Sequence, residues 1–281
     1  MLERLWRQRR RLVLTFILCG LTGFILADGG ILASIANTVQ LGLIGVILTA
    51  AMLLALPDAR WFVFKLAALA PVFALLALAL PGALVLVLYT AAAIALPSHP
   101  WALDRIRLPI IVRARDEARI ALPKERVWDR VYPRETNEHW DPFLRSIRSG
   151  RSNGTFFLVY EALSRSGELQ VPIRVFDVEP GVHFKTRDLS LPDAAEGGPV
   201  TVTSHVVESD GDGTSLILME ATWRPMLWTA FSQWLDDYLG DHVDRLAALL
   251  EGRPDWSLKG ASLRTFVTRV QADPFEMFQR S

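Results

Sequence analysis

The sequence predicts two fold classes in one chain: an all-α transmembrane helical bundle, then an α+β domain in which a curved antiparallel sheet surrounds a long C-terminal helix. Three observations carry this. Long apolar runs crowd the first hundred residues; beyond them apolar and polar residues alternate with period two; and from 226 to 250 the period becomes helical. The boundaries fall at 1–100 for the membrane region, 101–252 for the sheet domain and 253–281 for a C-terminal tail, in which Leu263, Phe266, Val267 and Val270 suggest a short amphipathic helix.

The first region is marked off by four apolar runs, at 12–27, 31–56, 61–80 and 82–96. A helix needs ~20 apolar residues to cross the hydrocarbon core. The middle two satisfy this outright. The first is short, and Trp6 with the Arg9–Arg11 cluster can lengthen it by snorkelling. The last is the shortest, but Pro81-Gly82 is a natural break, so four spans are expected and three is the alternative count. Arginines precede the first run and follow the last, and Arg60 and Lys65 flank the second loop, whereas the turns at Asp28-Gly29-Gly30 and Pro81-Gly82 carry no cation. Basic loops stay cytoplasmic, which puts both termini and the sheet domain on the cytoplasmic side of an inner membrane. The usage of 26 arginines against four lysines is that of a GC-rich bacterial genome. No ionisable group sits mid-span, so the helices read as an anchor rather than a transport path.

Composition narrows the function classes. The 281 residues are 51% hydrophobic and 21% charged, with a mean hydropathy of +0.26. Up to Arg107 there are nine Lys and Arg against four Asp and Glu; from Leu108 onward there are 21 against 26. A sheet domain with net negative charge excludes a basic nucleic-acid binder. The lone Cys19 excludes a disulfide framework and a cysteine zinc site, and reads as a small buried hydrophobe.

In the second region Val112, Ala114, Ala118 and Ile120 alternate with Arg113, Arg115, Glu117 and Arg119, giving a strand with one dry face. Pro123 opens a helix with Val127, Trp128 and Val131, and a short helical or irregular piece holds Trp140, Pro142 and Phe143. Strands follow at 155–164, 169–178, 182–189, 200–208 and 214–224, joined by glycine-bearing turns. The helix at 226–250 carries Leu227, Phe231, Trp234, Tyr238, Val243, Leu246 and Leu250 in one broad stripe, with Asp241 and Arg245 mostly off it. A curved sheet gripping a single helix does not close tightly and leaves a cavity suited to apolar ligands.

These pieces resemble a known family. They are Ile120-Ala121-Leu122-Pro123-Lys124-Glu125-Arg126-Val127-Trp128, Glu138-His139-Trp140-Asp141-Pro142-Phe143, Val175 to Phe184 with its Glu179-Pro180-Gly181 turn, the glycine hairpin before Thr214-Ser215-Leu216, and the long helix. In order and spacing they are similar to the helix-grip superfamily (SRPBCC), which includes polyketide cyclases, START lipid-transfer domains and the birch-pollen allergen. The resemblance covers about residues 113–252. It implies a pocket for a hydrophobic molecule and not a reaction, because fold does not fix function.

Strand parity supplies the candidate ligand-binding residues. Taking charged residues as outward markers puts Phe156, Leu158 and Tyr160 inward on one strand, Phe184 on another, and Ile217, Met219 and Trp223 inward opposite Glu220. His183 and His205 are then outward, with Lys185 and Thr203. Trp140 at the mouth and Phe231, Trp234 and Tyr238 on the helix complete the set. For catalysis the candidates are His139, Tyr160 and Glu220 as acid or base groups. Two motif matches are decoys. Gly150-Arg151-Ser152-Asn153-Gly154 fits the hydrolase nucleophile pattern but precedes a strand. Glu208, Asp210 and Asp212 form a hairpin tip rather than a calcium loop. No histidine lies three or four residues from another, so no metal and no cofactor is expected. The expected partners are the bilayer and a hydrophobic small molecule or lipid. The favoured function is a membrane-anchored binding module; the alternatives are a cyclase- or dehydratase-like enzyme and a membrane-tethered scaffold.

Overall fold

The computed structural model describes residues 2–96, 103–135, 141, 144–161, 168–189 and 199–258. The chain divides into two compact units.

The first unit is helical: α1 (Leu2–Arg7), α2 (Arg9–Ile25), α3 (Ile31–Ala55), α4 (Arg60–Ala77) and α5 (Gly82–Ala95). Among the described residues only α3 and α4 are long and apolar enough to cross a membrane. The expected four spans are therefore corrected. At 14 residues α5 reaches about 21 Å, short of a hydrocarbon core of ~30 Å, and α2 begins with three arginines. Arg11 does not snorkel. It is fully buried, its Nη1 donating to the Arg60 carbonyl (3.1 Å) and its Nε to Gln8 Oε1 (3.1 Å), with the guanidinium over the Trp61 ring at 4.3 Å. Arg4 donates to the Leu53 carbonyl in the last turn of α3, where an unsatisfied oxygen and the helix dipole favour a cation. Helices α2 and α3 meet through small residues. A Cβ on Gly45 would lie 2.6 Å from Cys19 Sγ, so only glycine permits that approach, and Cys19 is indeed a packing residue.

The second unit is α+β, with a seven-stranded antiparallel sheet and helices, consistent with a helix-grip. Its strands are β1 (Ile111–Ile120), β2 (Leu144–Ser149), β3 (Thr155–Glu161), β4 (Glu168–Glu179), β5 (His183–Asp188), β6 (Val200–Asp210) and β7 (Gly213–Trp223). They pair in the order β1-β7-β6-β5-β4-β3-β2. Hairpin neighbours run β2 to β7, and β1 closes back on β7 with ten residue pairs in register from Ile111↔Trp223 to Ile120↔Thr214. The helices are α6 (Lys124–Val131), α7 (Leu227–Asp236) and α8 (Tyr238–Leu250).

Three local features depart from expectation. Strand β2 replaces what reads as irregular chain: a register shift between Leu144 and Ser146 breaks its period-two pattern. The single long helix is two, because Asp237 adopts the left-handed conformation (φ 48°, ψ 48°), which a short polar side chain tolerates. Third, Asp241 and Arg245 are buried rather than off the stripe. The nucleophile-like segment is a turn: Gly154 has φ +75° and the Thr155 amide donates to the Ser152 carbonyl. The core lies between the sheet and α8. Leu239, Val243, Leu246 and Leu250 of that helix pack with Ile120, Val207, Leu216 and Leu218 of the strands and Val127 and Val131 of α6. The tail helix expected near 263–270 and the piece containing His139, Trp140, Pro142 and Phe143 lie outside the described residues.

Candidate functional site

Burial fixes which way each strand faces. Leu216 and Leu218 are fully buried, so even-numbered residues of β7 point to the core and odd-numbered ones away from it. Register carries this across the sheet. Glu220 stands opposite Thr203, Thr203 opposite Thr186, and His205 opposite both Leu218 and Phe184. The expected parity of β6 and β7 is thus inverted. Met219 and Trp223 are not inward; they are 38% and 39% exposed on the outer face. Glu220 and His205 are not outward; they line a cavity.

That cavity measures about 220 Å³ and lies between the inner face of the sheet and the helices. From the strands come Leu158 and Tyr160, Ile173, Phe184 and Thr186, Thr203 and His205, and Glu220. From the helices come Tyr238, Leu239 and His242 of α8, and Val131 and Tyr132 at the end of α6. Four of the expected residues, Leu158, Tyr160, Phe184 and Tyr238, are brought together here with Glu220. Phe156 packs on the neighbouring core. Two are corrected on the helix side. Trp234 is 48% exposed, and Phe231 lies in a ring series with Trp228 and Trp234 on α7 rather than in the cavity wall, because the break at Asp237 separates α7 from α8.

An aromatic cluster holds one end of the cavity. Trp128 and Tyr132 stack at 5.2 Å on α6, and Phe184 meets both edge-on at 5.5 and 5.2 Å. On its other side the His205 ring lies parallel to Phe184, with centroids 4.4 Å apart. Tyr132, His205 and Thr203 were missed from sequence. The available signal was Trp128 and Tyr132 four residues apart on one helical face.

Burial disfavours the charged forms of His205 and Glu220 in the wall. It drives the His205 imidazole down to about 4, a hydrogen bond with the Thr203 backbone opposing only part of the effect. Its Nδ1 is buried and has no hydrogen-bond partner. Burial raises Glu220 above the ordinary carboxylate range. Tyr160 is pushed up to about 12 by burial first, then by the Asp141 carboxylate and Tyr238, with Arg245 opposing. Asp141 lines the cavity too: its Oδ1 accepts from Nη2 of Arg245 (3.1 Å), whose Nε lies 3.5 Å from Asp255 Oδ2, all three side chains being less than a tenth exposed. This buried pair ties the chain entering β2 to α8. Among the described residues no three His, Cys, Asp or Glu side chains are grouped as metal ligands.

No family model matches the chain, and no curated protein matches it. Solved structures do. The protein XoxI from Bacillus cereus is 15% identical, with a TM-score of 0.38 over 50% of this chain and 94% of its own. MLL2253 from Mesorhizobium loti is 18% identical, with a TM-score of 0.37 over 50% and 98%. Ara h 8.0201 is 8% identical, with a TM-score of 0.35 over 51% and 97%.

Proposed function

We propose that the chain is a membrane-anchored binding module whose sheet unit holds a compact, neutral, lipophilic molecule in the cavity between the strands and α8. The observation that carries this is the cavity wall itself: apolar and aromatic side chains around a few polar groups, one of them a buried imidazole nitrogen without a partner. A ligand hydroxyl or amide reaching His205 Nδ1 would supply the hydrogen bond that burial otherwise denies it. Depressed His205 and raised Glu220 disfavour charge at their own positions, and Asp141 in the same wall is balanced by Arg245, which together favour a neutral ligand. A volume of about 220 Å³ is below the roughly 300–1,000 Å³ of drug-sized sites, so a ring-sized molecule fits better than paired acyl chains.

The anchor reading is supported by α3 and α4, whose apolar windows are only 22% buried within the chain. A soluble core helix would bury most of such a surface. With α3 and α4 as the spans both termini share one side of the membrane, and the arginines before α3 and after α5 outnumber Arg60 and Lys65 between the spans, which favours the cytoplasmic side of an inner membrane for the termini. Holding the unit beside the bilayer raises the effective concentration of a ligand dissolved in lipid.

The test is native mass spectrometry of the full chain released from detergent, with organic extraction of the same sample. The expected result is a stoichiometric adduct of a small neutral molecule. A bare chain in every preparation would contradict the reading. The enzyme alternative rests on Glu220, a carboxyl of raised pKa inside the cavity and thus a candidate general acid. It requires the bound molecule to be chemically changed, and Glu220→Gln to stop that change while leaving the adduct in place.

A further inference from the structure

The outer face of the sheet carries a second, independent pattern. Parity and register place Arg113, Ala221, Val202, Arg187 and Arg174 in one row across five strands. Strands lie about 4.8 Å apart, so this row is about 19 Å long. Arg174 and Arg187 stand directly opposite each other, an arrangement that like charges disfavour. In the next row Arg115 is opposite Met219, and in the row beyond the arginines Ile111 is opposite Trp223, itself opposite Val200. Ile111, Met219 and Trp223 are each more than a third exposed. Lys185 on this face is matched by Asp177. By contrast, Arg113, Arg115, Arg174 and Arg187 have no carboxylate partner among the described residues.

We propose that this face docks on an anionic phospholipid bilayer, with the arginines on headgroup phosphates and Trp223, Ile111 and Met219 entering the interface. Two arguments favour lipid over other anions. Tryptophan and isoleucine among arginines match a bilayer interface, where one layer is charged and the next apolar. Moreover β1, the edge strand of the face, follows closely in sequence after α5, so the tether keeps this face within reach of the bilayer that holds the anchor. The proposal rests on the anchored part of the function proposed above and is independent of the cavity.

The test uses the full chain with Cys19→Ser and Met219→Cys, labelled at the new cysteine with an environment-sensitive fluorophore. It is reconstituted in phosphatidylcholine vesicles with and without phosphatidylglycerol. The expected result is blue-shifted emission, quenched by nitroxide lipids, only where phosphatidylglycerol is present. The shift should be reversed by high salt and weakened about fivefold per arginine removed in Arg113→Gln and Arg187→Gln. Equal emission in both vesicles would overturn the proposal, as would a shift produced by an added acidic polypeptide but not by phosphatidylglycerol, which would assign the face to a protein. Extraction of the chain from either vesicle by alkaline carbonate would instead sink the anchor reading, so the two failures are distinguishable.

Discussion

Strands β6 and β7 present opposite chemistry on their two sides. Inward they turn Thr203, His205 and Glu220 alongside Leu216 and Leu218; outward they turn Met219, Trp223 and Val202 between exposed arginines. Two ionisable groups of these strands, His205 and Glu220, are thus enclosed in the cavity wall, while Met219 and Trp223 face out. A protein shaped only for stability does the reverse, since burying a titratable group costs free energy and exposing tryptophan forgoes it. In the proposed function the inner side receives a ligand that completes a polar pocket, and in the proposed docking the outer side meets a surface that covers Trp223 and Met219.

The contrast can be broken most severely through Arg245. Arg245→Ala leaves Asp141 and Asp255 buried without their cation and should cost about 3–5 kcal/mol in chemical unfolding of the detergent-solubilised chain. Next comes a pair of neighbours. Leu218→Ala should destabilise by about 2–5 kcal/mol, while Met219→Ala, one residue on and on the other side, should change stability by less than about 0.5 kcal/mol. Equal losses would mean the two sides are not distinct.

The pH dependence sharpens the inner side. His205 falls from 6.5 to about 4 on folding, so between those values the unfolded chain binds more protons than the folded one. Stability should therefore fall as pH drops through that window, by up to about 3 kcal/mol, and His205→Gln should remove that part of the slope. Glu220 has the opposite sign. Its folded value is raised, so its contribution is complete at low pH and declines as pH rises above 4.5; Glu220→Gln should flatten this smaller slope. Unfolding midpoints measured across the pH range separate the two.

Much of the fold was legible from residues alone. The alternation of β1, the glycine turns and the apolar stripe of α8 set the architecture, and Leu158, Tyr160, Phe184 and Tyr238 were placed on the inner side. What failed did so for identifiable reasons. β7 is apolar on both faces through Leu216, Ile217, Leu218 and Met219, so its direction was taken from Glu220, and a buried carboxyl inverts that rule. His205 was misplaced likewise, since nothing local distinguishes a buried neutral imidazole from an exposed one. β2 was hidden by its register shift, and the break between α7 and α8 by the helical period that continues through Asp237. The arginine row exists only once register is known, because Arg113, Arg187 and Arg174 come from three separate strands of the five it crosses.

The most direct measurement compares cavity filling on the two sides of one strand. Thr203→Trp places an indole in the cavity, and Val202→Trp places the same indole on the outer face. The small neutral molecule extracted per mole of purified full chain should fall nearly to zero in the first variant and stay at the wild-type level in the second. Full retention in Thr203→Trp, or equal loss in both, would contradict a ligand held between the sheet and α8.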